Sequence, residues 1–218
     1  MTEVKKIMDT KLFHTDDNEI AEAGEILRNG GLVAFPTETV YGLGASAFDS
    51  DAAKKIYDAK GRPSDNPLIV HICDKGQIKD IAEEIPESAK KVIDNFMPGP
   101  VTIILKKKSV VPNDVTAGLD TVAIRFPLHE TAQKLIKAAG VPIAAPSANL
   151  SGKPSPTKAK HVVKDMTGRI DAIIDGGECN VGVESTIVDF TGEKPVILRP
   201  GGVTYDDLKG IGLDVEID

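Results

Sequence analysis

The stretch Leu32-Val33-Ala34-Phe35-Pro36-Thr37-Glu38-Thr39-Val40-Tyr41-Gly42-Leu43-Gly44 carries the strongest indication of how this chain folds. Its first four residues are apolar, and the proline that follows predicts a short buried strand ending at residue 35. Residues 37–44 then combine hydroxyl side chains with two glycines, which would let backbone amides approach an anion. The stretch matches neither GxGxxG nor the Walker A pattern, so a plain strand-to-helix turn is the alternative interpretation.

Helical and extended patterns alternate on both sides of this stretch. A helix capped by Asp17 or Asn18 precedes it and ends at Gly30-Gly31, and a helix capped by Ser50 or Asp51 follows it. Their inward faces are predicted to carry, in the first helix, Ile20, Ala23, Gly24 and Leu27, and in the second, Ala53, Ile56, Tyr57 and Lys60. Two further helices are predicted between residues 73 and 97, and one each at 129–139 and at about 159–166. Further strands are predicted at 68–72, 101–105, 121–126, 142–145, 171–175, 185–189 and 195–198. Because no linker or internal repeat divides the chain, we predict one α/β domain with a mixed sheet over residues 1–218, its core at about 17–209.

The composition limits the classes of function that fit. The chain has 218 residues, of which 41% are hydrophobic and only 4% aromatic, so the core must be largely aliphatic. Its 26 basic and 33 acidic residues give a net charge of −7, which argues against a protein that coats nucleic acid with its whole surface. The net charge is still compatible with a basic cleft at one place on the surface.

Cysteine content and targeting signals point to the cytoplasm. Cys73 and Cys179 are the only cysteines, and they form neither a disulfide framework nor a CxxC pair, so we expect free thiols in a reducing compartment. Residues 1–17 lack the apolar segment of a secretory signal, and no apolar run approaches the ~18 residues of a membrane helix. We therefore expect a cytoplasmic protein without a membrane partner.

Lys60 and Arg62 lie two residues apart where a helix passes into a Pro-rich loop. Pro63 restricts the backbone of Arg62, and a restrained arginine can hold a phosphate through two hydrogen bonds while lysine acts as a point charge. The alternative for Lys60 is a packed stem whose amine extends to water.

Three further segments carry polar side chains at the ends of predicted strands. If Ser147 and Asn149 are extended, their side chains point the same way and could bind a ribose, a phosphate or an adenine edge. Arg199 precedes Pro200-Gly201-Gly202, and such strand ends are frequent ligand sites in α/β sheets. His71 could bind a carboxylate or transfer a proton. The alternatives are an ordinary turn, a solvated arginine and a core histidine.

Absent motifs narrow the chemistry. The four histidines show no HxxxH or HExxH spacing, and the chain has no GxSxG. A reaction that holds two ligands together and neutralises phosphate charge fits better than one that needs a protein nucleophile.

Several segments occur in an order that one known family shares: Pro36-Thr37-Glu38-Thr39-Val40-Tyr41-Gly42-Leu43-Gly44, Lys60-Gly61-Arg62 with residues 63–68, Ala123-Ile124-Arg125-Phe126-Pro127, Ala145-Pro146-Ser147-Ala148-Asn149, Glu184-Ser185-Thr186 and Arg199-Pro200-Gly201. Through them the chain resembles the YrdC/TsaC family of threonylcarbamoyl-adenylate synthases, from about residue 20 to residue 203. The resemblance implies a twisted α/β sheet, a YrdC-like fold, with a deep, positively charged cleft. It also implies a nucleotidyltransferase that makes threonylcarbamoyl-AMP and pyrophosphate from L-threonine, bicarbonate and ATP.

The resemblance further implies what happens to the product. A partner transferase would move the threonylcarbamoyl group to an adenosine beside the tRNA anticodon. Weak binding of tRNA by this chain itself is compatible with the resemblance. Longer family members append a second domain. Because this chain ends at Asp218, we expect the single-domain form, without that domain's control.

Site residues follow from the matching positions. The resemblance implies that Lys60 and Arg62 are catalytic and offset charge as the α-phosphate is attacked. It places ATP against Arg62, Asn66, Thr121, Ser147, Asn149, Ser155 and Arg199. It places L-threonine against Thr39, His71, Arg125, Ala145 and Ser185, with Arg125 as the partner of the carboxylate. Mg²⁺ is expected with ATP; its ligands are unknown, because few carboxylates in the matching segments are obvious ligands, and Glu184 is the candidate among them. Residues 147–157 are a candidate lid.

Two other functions compete with this interpretation. A double-stranded RNA- or tRNA-binding module is disfavoured by the net charge and by the scarcity of aromatic residues for base stacking. A carbamoyl-adenylate enzyme of the hydrogenase-maturation type carries a related domain, but it also has further modules and cysteines that this sequence lacks.

Overall fold

A computed structural model describes residues 9–218 and shows a mixed sheet with helices on both faces. The strands are β1 Lys11–Phe13, β2 Val33–Phe35, β3 Gly42–Ser46, β4 Ile69–His71, β5 Val101–Lys106, β6 Thr121–Arg125, β7 Ile143–Ala145, β8 Ala172–Ile174, β9 Thr186–Asp189, β10 Val196–Arg199 and β11 Glu216–Ile217. The helices are α1 Asp17–Arg28, α2 Ser50–Lys60, α3 Ile78–Ile81, α4 Glu87–Phe96, α5 Asn113–Thr116, α6 Glu130–Ala139, α7 Ala159–Met166 and α8 Tyr205–Gly210, with a 3₁₀ turn at Lys75–Gln77.

The strand order is β1-β8-β2-β3-β7-β4-β6-β5-β9-β10-β11 in the described part of the chain. The sheet contains both parallel pairs, such as β4 with β6, and antiparallel pairs, such as β4 with β7. The predicted mixed α/β sheet is therefore confirmed. The deep, positively charged cleft stays a prediction.

Each face of the sheet packs against its own set of helices. In β2, the side chains of Val33 and Phe35 join one apolar cluster and Ala34 joins the other, as the two-residue period of a strand requires. The first cluster contains residues of α1 and α6, and the second contains residues of α2, α4 and α7. Gly24 allows α6 to approach closely, because a Cβ there would lie 2.7 Å from Ala138 Cβ.

The predicted helical faces agree with burial, while the predicted caps do not. All four inward residues predicted for α1 and all four predicted for α2 are buried. The N-caps are Asp16 and Asp49, each one residue before the positions that we predicted. The Asp16 carboxylate accepts from the amide of Asn18, and the Asp49 carboxylate accepts from the amides of Asp51 and Ala52.

Several elements were not predicted. Residues 42–46 form the fully buried strand β3, antiparallel to β2, although we predicted no strand there and interpreted Gly42 and Gly44 as part of an anion-binding segment or a turn. Strands β1 and β11 and helices α5 and α8 were also missed. Phe13, Leu213 and Val215 are buried, so packing extends beyond residues 17–209 at both ends. The predicted domain span of 1–218 includes residues 1–8, which lie outside the described residues.

Two further expectations concern thiols and membranes. Cys73 and Cys179 are both free, as predicted, and burial raises the pKa of the Cys179 thiol to about 11. From residue 9 onward, no helix combines the length and apolar character that crossing a membrane requires. The cytoplasmic location stays a prediction.

Candidate active site

One cavity of about 360 Å³ lies over the middle of the sheet. Its floor includes a row of residues in register on neighbouring strands, Ile104 of β5, Ala123 of β6, Ile69 of β4 and Ala145 of β7. The next row, two residues along the strands, places His71 beside Arg125. The apolar cluster under α1 and α6 includes Ala145 but no residue of β4, β5, β6 or β9. The cavity therefore occupies the part of this sheet face that those helices leave uncovered.

Loops at the strand ends form the cavity wall. Residues 37–42 follow β2, residues 62–67 follow α2, residues 146–147 follow β7, and residues 184–185 precede β9. The structure brings these predicted site residues to the cavity: Thr39, Arg62, Asn66, His71, Arg125, Ala145, Ser147, Ser185 and Arg199. It does not place these among the lining residues: Lys60, Thr121, Asn149 and Ser155. Segments far apart in sequence thus converge on one site.

Three arginines give the cavity fixed positive charge. Arg62, Arg125 and Arg199 line it, against the single lining carboxylate of Glu184 among the residues described. Burial lowers the pKa of both Arg62 and Arg199 from the usual arginine value. Because that value lies far above neutrality, both guanidinium groups remain charged and can bind oxyanions.

Lys60 lies beneath the loop that follows β7. Its side chain is buried, and its amine donates to the carbonyl oxygens of Ser147 and of Asn149, the latter at 2.6 Å. Burial first, and then the charge of Arg62, lowers the pKa of Lys60 to about 8. An amine extending to water is therefore excluded. In this structure Lys60 holds the 147–149 backbone and does not face the cavity.

The two halves of the predicted Ser147–Asn149 pair behave differently. Ser147 lines the cavity. Asn149 turns back on its own loop, where Nδ2 donates to the carbonyls of Leu150 at 2.9 Å and Lys153 at 2.7 Å. The Ala148 amide donates to the Tyr41 carbonyl at 2.8 Å, which ties this loop to the loop after β2. Asn149 therefore stabilises its own loop in this structure, while its Oδ1 lacks a partner. The contact of Asn149 with ATP stays a prediction.

His71 is a buried, neutral imidazole in this site. Nδ1 lies 3.0 Å from the Ile69 carbonyl, and the Phe35 ring meets the imidazole edge-on at 6.0 Å. Burial, followed by the adjacent Arg125 charge, lowers the pKa of His71 to about 3. The ring can hydrogen-bond to a ligand, but it carries no positive charge near neutral pH.

Glu38 is a component of the site that sequence analysis did not assign. Its Oε1 lies 2.8 Å from Nη2 of Arg125, and the two side chains are only 7% and 5% exposed. Both Glu38 oxygens, and Nε and Nη2 of Arg125, lack a partner of good hydrogen-bond geometry. The contact is therefore a buried charge pair. The position of Glu38 between Thr37 and Thr39 in the quoted stretch was the available signal.

A second polar network joins Arg199, Glu184 and the 147–157 loop. Arg199 donates to the Ser185 carbonyl from Nε at 3.1 Å and from Nη2 at 2.9 Å, and its Nη1 pairs with Glu184 Oε2. The other Glu184 oxygen accepts from Ser155 Oγ at 2.8 Å. Ser155 therefore reaches the cavity wall through Glu184. Thr121 lies further out, at the start of β6 opposite Lys106.

Comparison with known proteins identifies relatives over most of the chain. The Sua5/YciO/YrdC family model, described as telomere recombination, matches residues 25–201. A Pyrococcus abyssi protein named threonylcarbamoyl-AMP synthase is 55% identical over 199 residues, which are 91% of this chain and 58% of that protein. A Bacillus subtilis protein of the same name is 55% identical over 210 residues, 96% of this chain and 61% of that protein.

A solved structure gives the same relationship in three dimensions. The crystal structure of P. abyssi Sua5 complexed with L-threonine superposes with a TM-score of 0.94 at 52% identity, covering 96% of this chain and 63% of that one. This chain therefore spans about three fifths of the length of these relatives.

Proposed function

The chain belongs to the Sua5/YciO/YrdC family, and on that basis we propose that its cavity is the active site of an L-threonylcarbamoyladenylate synthase. The reaction joins L-threonine, bicarbonate and ATP into threonylcarbamoyl-AMP and releases pyrophosphate. The observation that carries the proposal is the close match to P. abyssi Sua5 complexed with L-threonine. The cavity supports it independently, because it combines guanidinium groups for anions with hydroxyl groups and an apolar floor.

The threonine site would lie over the row that contains Arg125 and His71. The Arg125 guanidinium is held in place by Glu38 at 2.8 Å, and it would receive the threonine carboxylate. The neutral His71 ring, the hydroxyls of Thr39 and Ser185 and the backbone of Ala145 would complete the polar contacts.

The nucleotide would lie along the wall formed by Arg62, Asn66, Ser147 and Arg199. Arg62 and Arg199 are the lining cations that do not belong to the proposed threonine site, so they would take the phosphates. Lys60 would act mainly as a positioning residue, since its amine holds the carbonyls of Ser147 and Asn149. Its charge would add to the field at the α-phosphate.

Two chemical steps would follow from this arrangement. The neutral threonine amine first attacks the carbon of bicarbonate, which releases water, or of carbon dioxide derived from it, which releases a proton. Either route leaves an N-carboxylate. A carboxylate oxygen then attacks the α-phosphorus in line, and the bond to the β-phosphate oxygen breaks to release pyrophosphate. The protein's contribution is to hold the two ligands in contact and to stabilise phosphate charge.

Mg²⁺ would enter with ATP as part of the substrate. Across residues 9–218, no group of three or more His, Cys, Asp or Glu side chains is arranged to hold a metal. The single lining carboxylate, Glu184, is already engaged by Arg199 and Ser155. These residues do not fit a metal held by the protein, so the phosphates and water would supply the ligands.

Mass spectrometry of a short incubation with ATP, L-threonine, bicarbonate and magnesium, together with a pyrophosphate assay, tests the proposal. Threonylcarbamoyl-AMP should form and should disappear when threonine or bicarbonate is left out. Arg62→Ala and Arg125→Met should each reduce product at least tenfold. A carbamoyl-adenylate that forms when carbamoyl phosphate replaces threonine and bicarbonate would indicate a carbamoyl-adenylate enzyme. Absence of any adenylate, together with salt-dependent RNA binding, would indicate a binding module.

The product also defines the proposed partners. Threonylcarbamoyl-AMP is a mixed anhydride, so a transferase must use it before water does. We therefore place a tRNA-modifying threonylcarbamoyl transferase downstream, and a cytoplasmic location agrees with that role.

A further inference from the structure

Glu184 makes contacts in the cavity wall that a phosphate group could replace. Oε1 accepts from Ser155 Oγ at 2.8 Å, and Oε2 pairs with Nη1 of Arg199. The resemblance places both of these partners against ATP. One carboxylate therefore occupies two side chains that are assigned to the nucleotide.

The other two nitrogens of Arg199 are occupied as well. Nε and Nη2 donate to the carbonyl oxygen of Ser185, and Nη2 lies 3.1 Å from Ser185 Oγ. The guanidinium has no free edge for another doubly hydrogen-bonded oxyanion. A phosphate can take the bidentate position on Arg199 only where Glu184 withdraws.

The structure separates a fixed backbone from a movable side chain at Glu184. Its carbonyl oxygen accepts from the Gly202 amide at 3.2 Å, and a Cβ on Gly201 would lie 2.3 Å from the same oxygen. The Glu184 side chain is 39% exposed, and the Arg199 side chain is 34% exposed. Rotation of the Glu184 side chain toward solvent would therefore release both partners without moving the backbone.

We propose that Glu184 is a displaceable stand-in for a nucleotide phosphate, which holds Ser155 and Arg199 in the free protein and yields both to a polyphosphate ligand. The inference rests on the proposed function, because that assigns Ser155 and Arg199 to ATP. Ser155 thereby links the 147–157 loop to Glu184, beside the backbone hydrogen bond that the Tyr41 amide donates to the Pro156 carbonyl at 2.8 Å.

Removing the negative charge of Glu184 should strengthen ATP binding. Glutamine keeps the size of the side chain but removes the negative charge that competes with phosphate and repels it. A partly exposed ion pair contributes at most about 1 kcal/mol, so ATP should bind about two- to fivefold more tightly to Glu184→Gln. A residue with a purely structural role would weaken binding on substitution, and a metal ligand would do the same.

Isothermal titration calorimetry on the full chain tests this prediction with ATP, adenosine and inorganic tripolyphosphate, each with and without magnesium. Glu184→Gln should tighten ATP and tripolyphosphate but leave adenosine unchanged. Glu178→Gln is the matched control, because Glu178 lies in the same segment and pairs with Lys158 at 3.0 Å but does not line the cavity. If Glu184→Gln fails to fold, Glu184→Ala should give the same sign, since it also removes the charge.

The outcomes separate the inference from the proposed function. If the wild-type protein makes threonylcarbamoyl-AMP but Glu184→Gln binds ATP no more tightly than wild type, the inference alone is overturned. Weakening that appears only with magnesium would also overturn it, by indicating that Glu184 contacts the metal of the nucleotide. A wild-type chain that binds neither ATP nor tripolyphosphate would overturn both.

Discussion

Replacing Glu38 with leucine would leave the Arg125 guanidinium as an unpaired cation inside the protein. The two charges lie 2.8 Å apart, and their side chains are 7% and 5% exposed, so water would replace the missing partner only in part. At an effective dielectric constant of about 20, a pair at this distance attracts by about 6 kcal/mol. Desolvation offsets part of this attraction, and loss of one partner from a buried pair typically costs about 3–5 kcal/mol. We expect Glu38→Leu to lower the free energy of unfolding by that amount.

Urea unfolding of Glu38→Leu, Arg125→Met and the double variant measures this coupling. The two single variants should each be strongly destabilised, whereas the double variant should be more stable than either, because it leaves no buried charge. Threonine binding should be lost in both Arg125→Met proteins, since both lack the guanidinium that would receive the carboxylate.

An exposed pair provides the control for this experiment. Lys134 lies 3.0 Å from Glu130, with side chains 42% and 81% exposed. Lys134→Met removes this contact and the 2.9 Å contact to Asp17, both at the surface, so it should leave the free energy of unfolding nearly unchanged. The reasoning would be refuted if Glu38→Leu cost no more than this surface variant, or if the effects of Glu38→Leu and Arg125→Met simply added.

Three other predictions concern single positions. The pKa of Lys60 falls from 10.5 in the unfolded chain to about 8 in the folded protein, so between these pH values the unfolded chain binds more protons. In urea unfolding, the stability of wild type relative to Lys60→Met should therefore rise by roughly 2–3 kcal/mol from pH 7 to pH 10. A stability difference that does not change with pH would show that the amine is not desolvated. The His71 imidazole, with a pKa of about 3, should keep a constant NMR chemical shift from pH 8 to pH 5, and a titration midpoint near 6.5 would contradict the buried environment. Gly201→Ala should destabilise the protein by about 1–3 kcal/mol, because its Cβ would lie 2.3 Å from the backbone oxygen of Glu184. Gly210→Ala, with nothing within 4 Å, should leave the melting temperature nearly unchanged, and equal losses in the two variants would contradict the steric argument.

Sequence periodicity predicted the helices well because burial on one side of a helix repeats every three to four residues. The pattern placed Lys60 on the inward face of α2, where the structure finds it buried. The exact cap could not be predicted in the same way, because Asp16, Asp17 and Asn18 are all competent cap residues. The one that caps is decided by where the backbone leaves the extended conformation.

Strand β3 shows the opposite case. Residues 42–46 contain two glycines and small side chains, which are typical of a turn, and local propensity therefore disfavours a strand. They are buried between β2 and β7, where a Cβ on Gly44 would lie 2.7 Å from Ile143 Cγ2. Close packing with neighbours that are distant in sequence overrides the local preference.

The order of motifs was sufficient to predict the family, and residue pattern was sufficient to predict the mixed α/β sheet. Of the thirteen site residues that the family resemblance implied, nine line the cavity. Tertiary structure alone decided which strands pair, so it alone placed Arg125 beside His71 and Glu38, and Glu184 between Ser155 and Arg199. The physical reason is that strand pairing joins backbone groups that are the same in every residue. Sequence pattern specifies the buried face of a strand, whereas the neighbour across the sheet depends on how all the faces pack together.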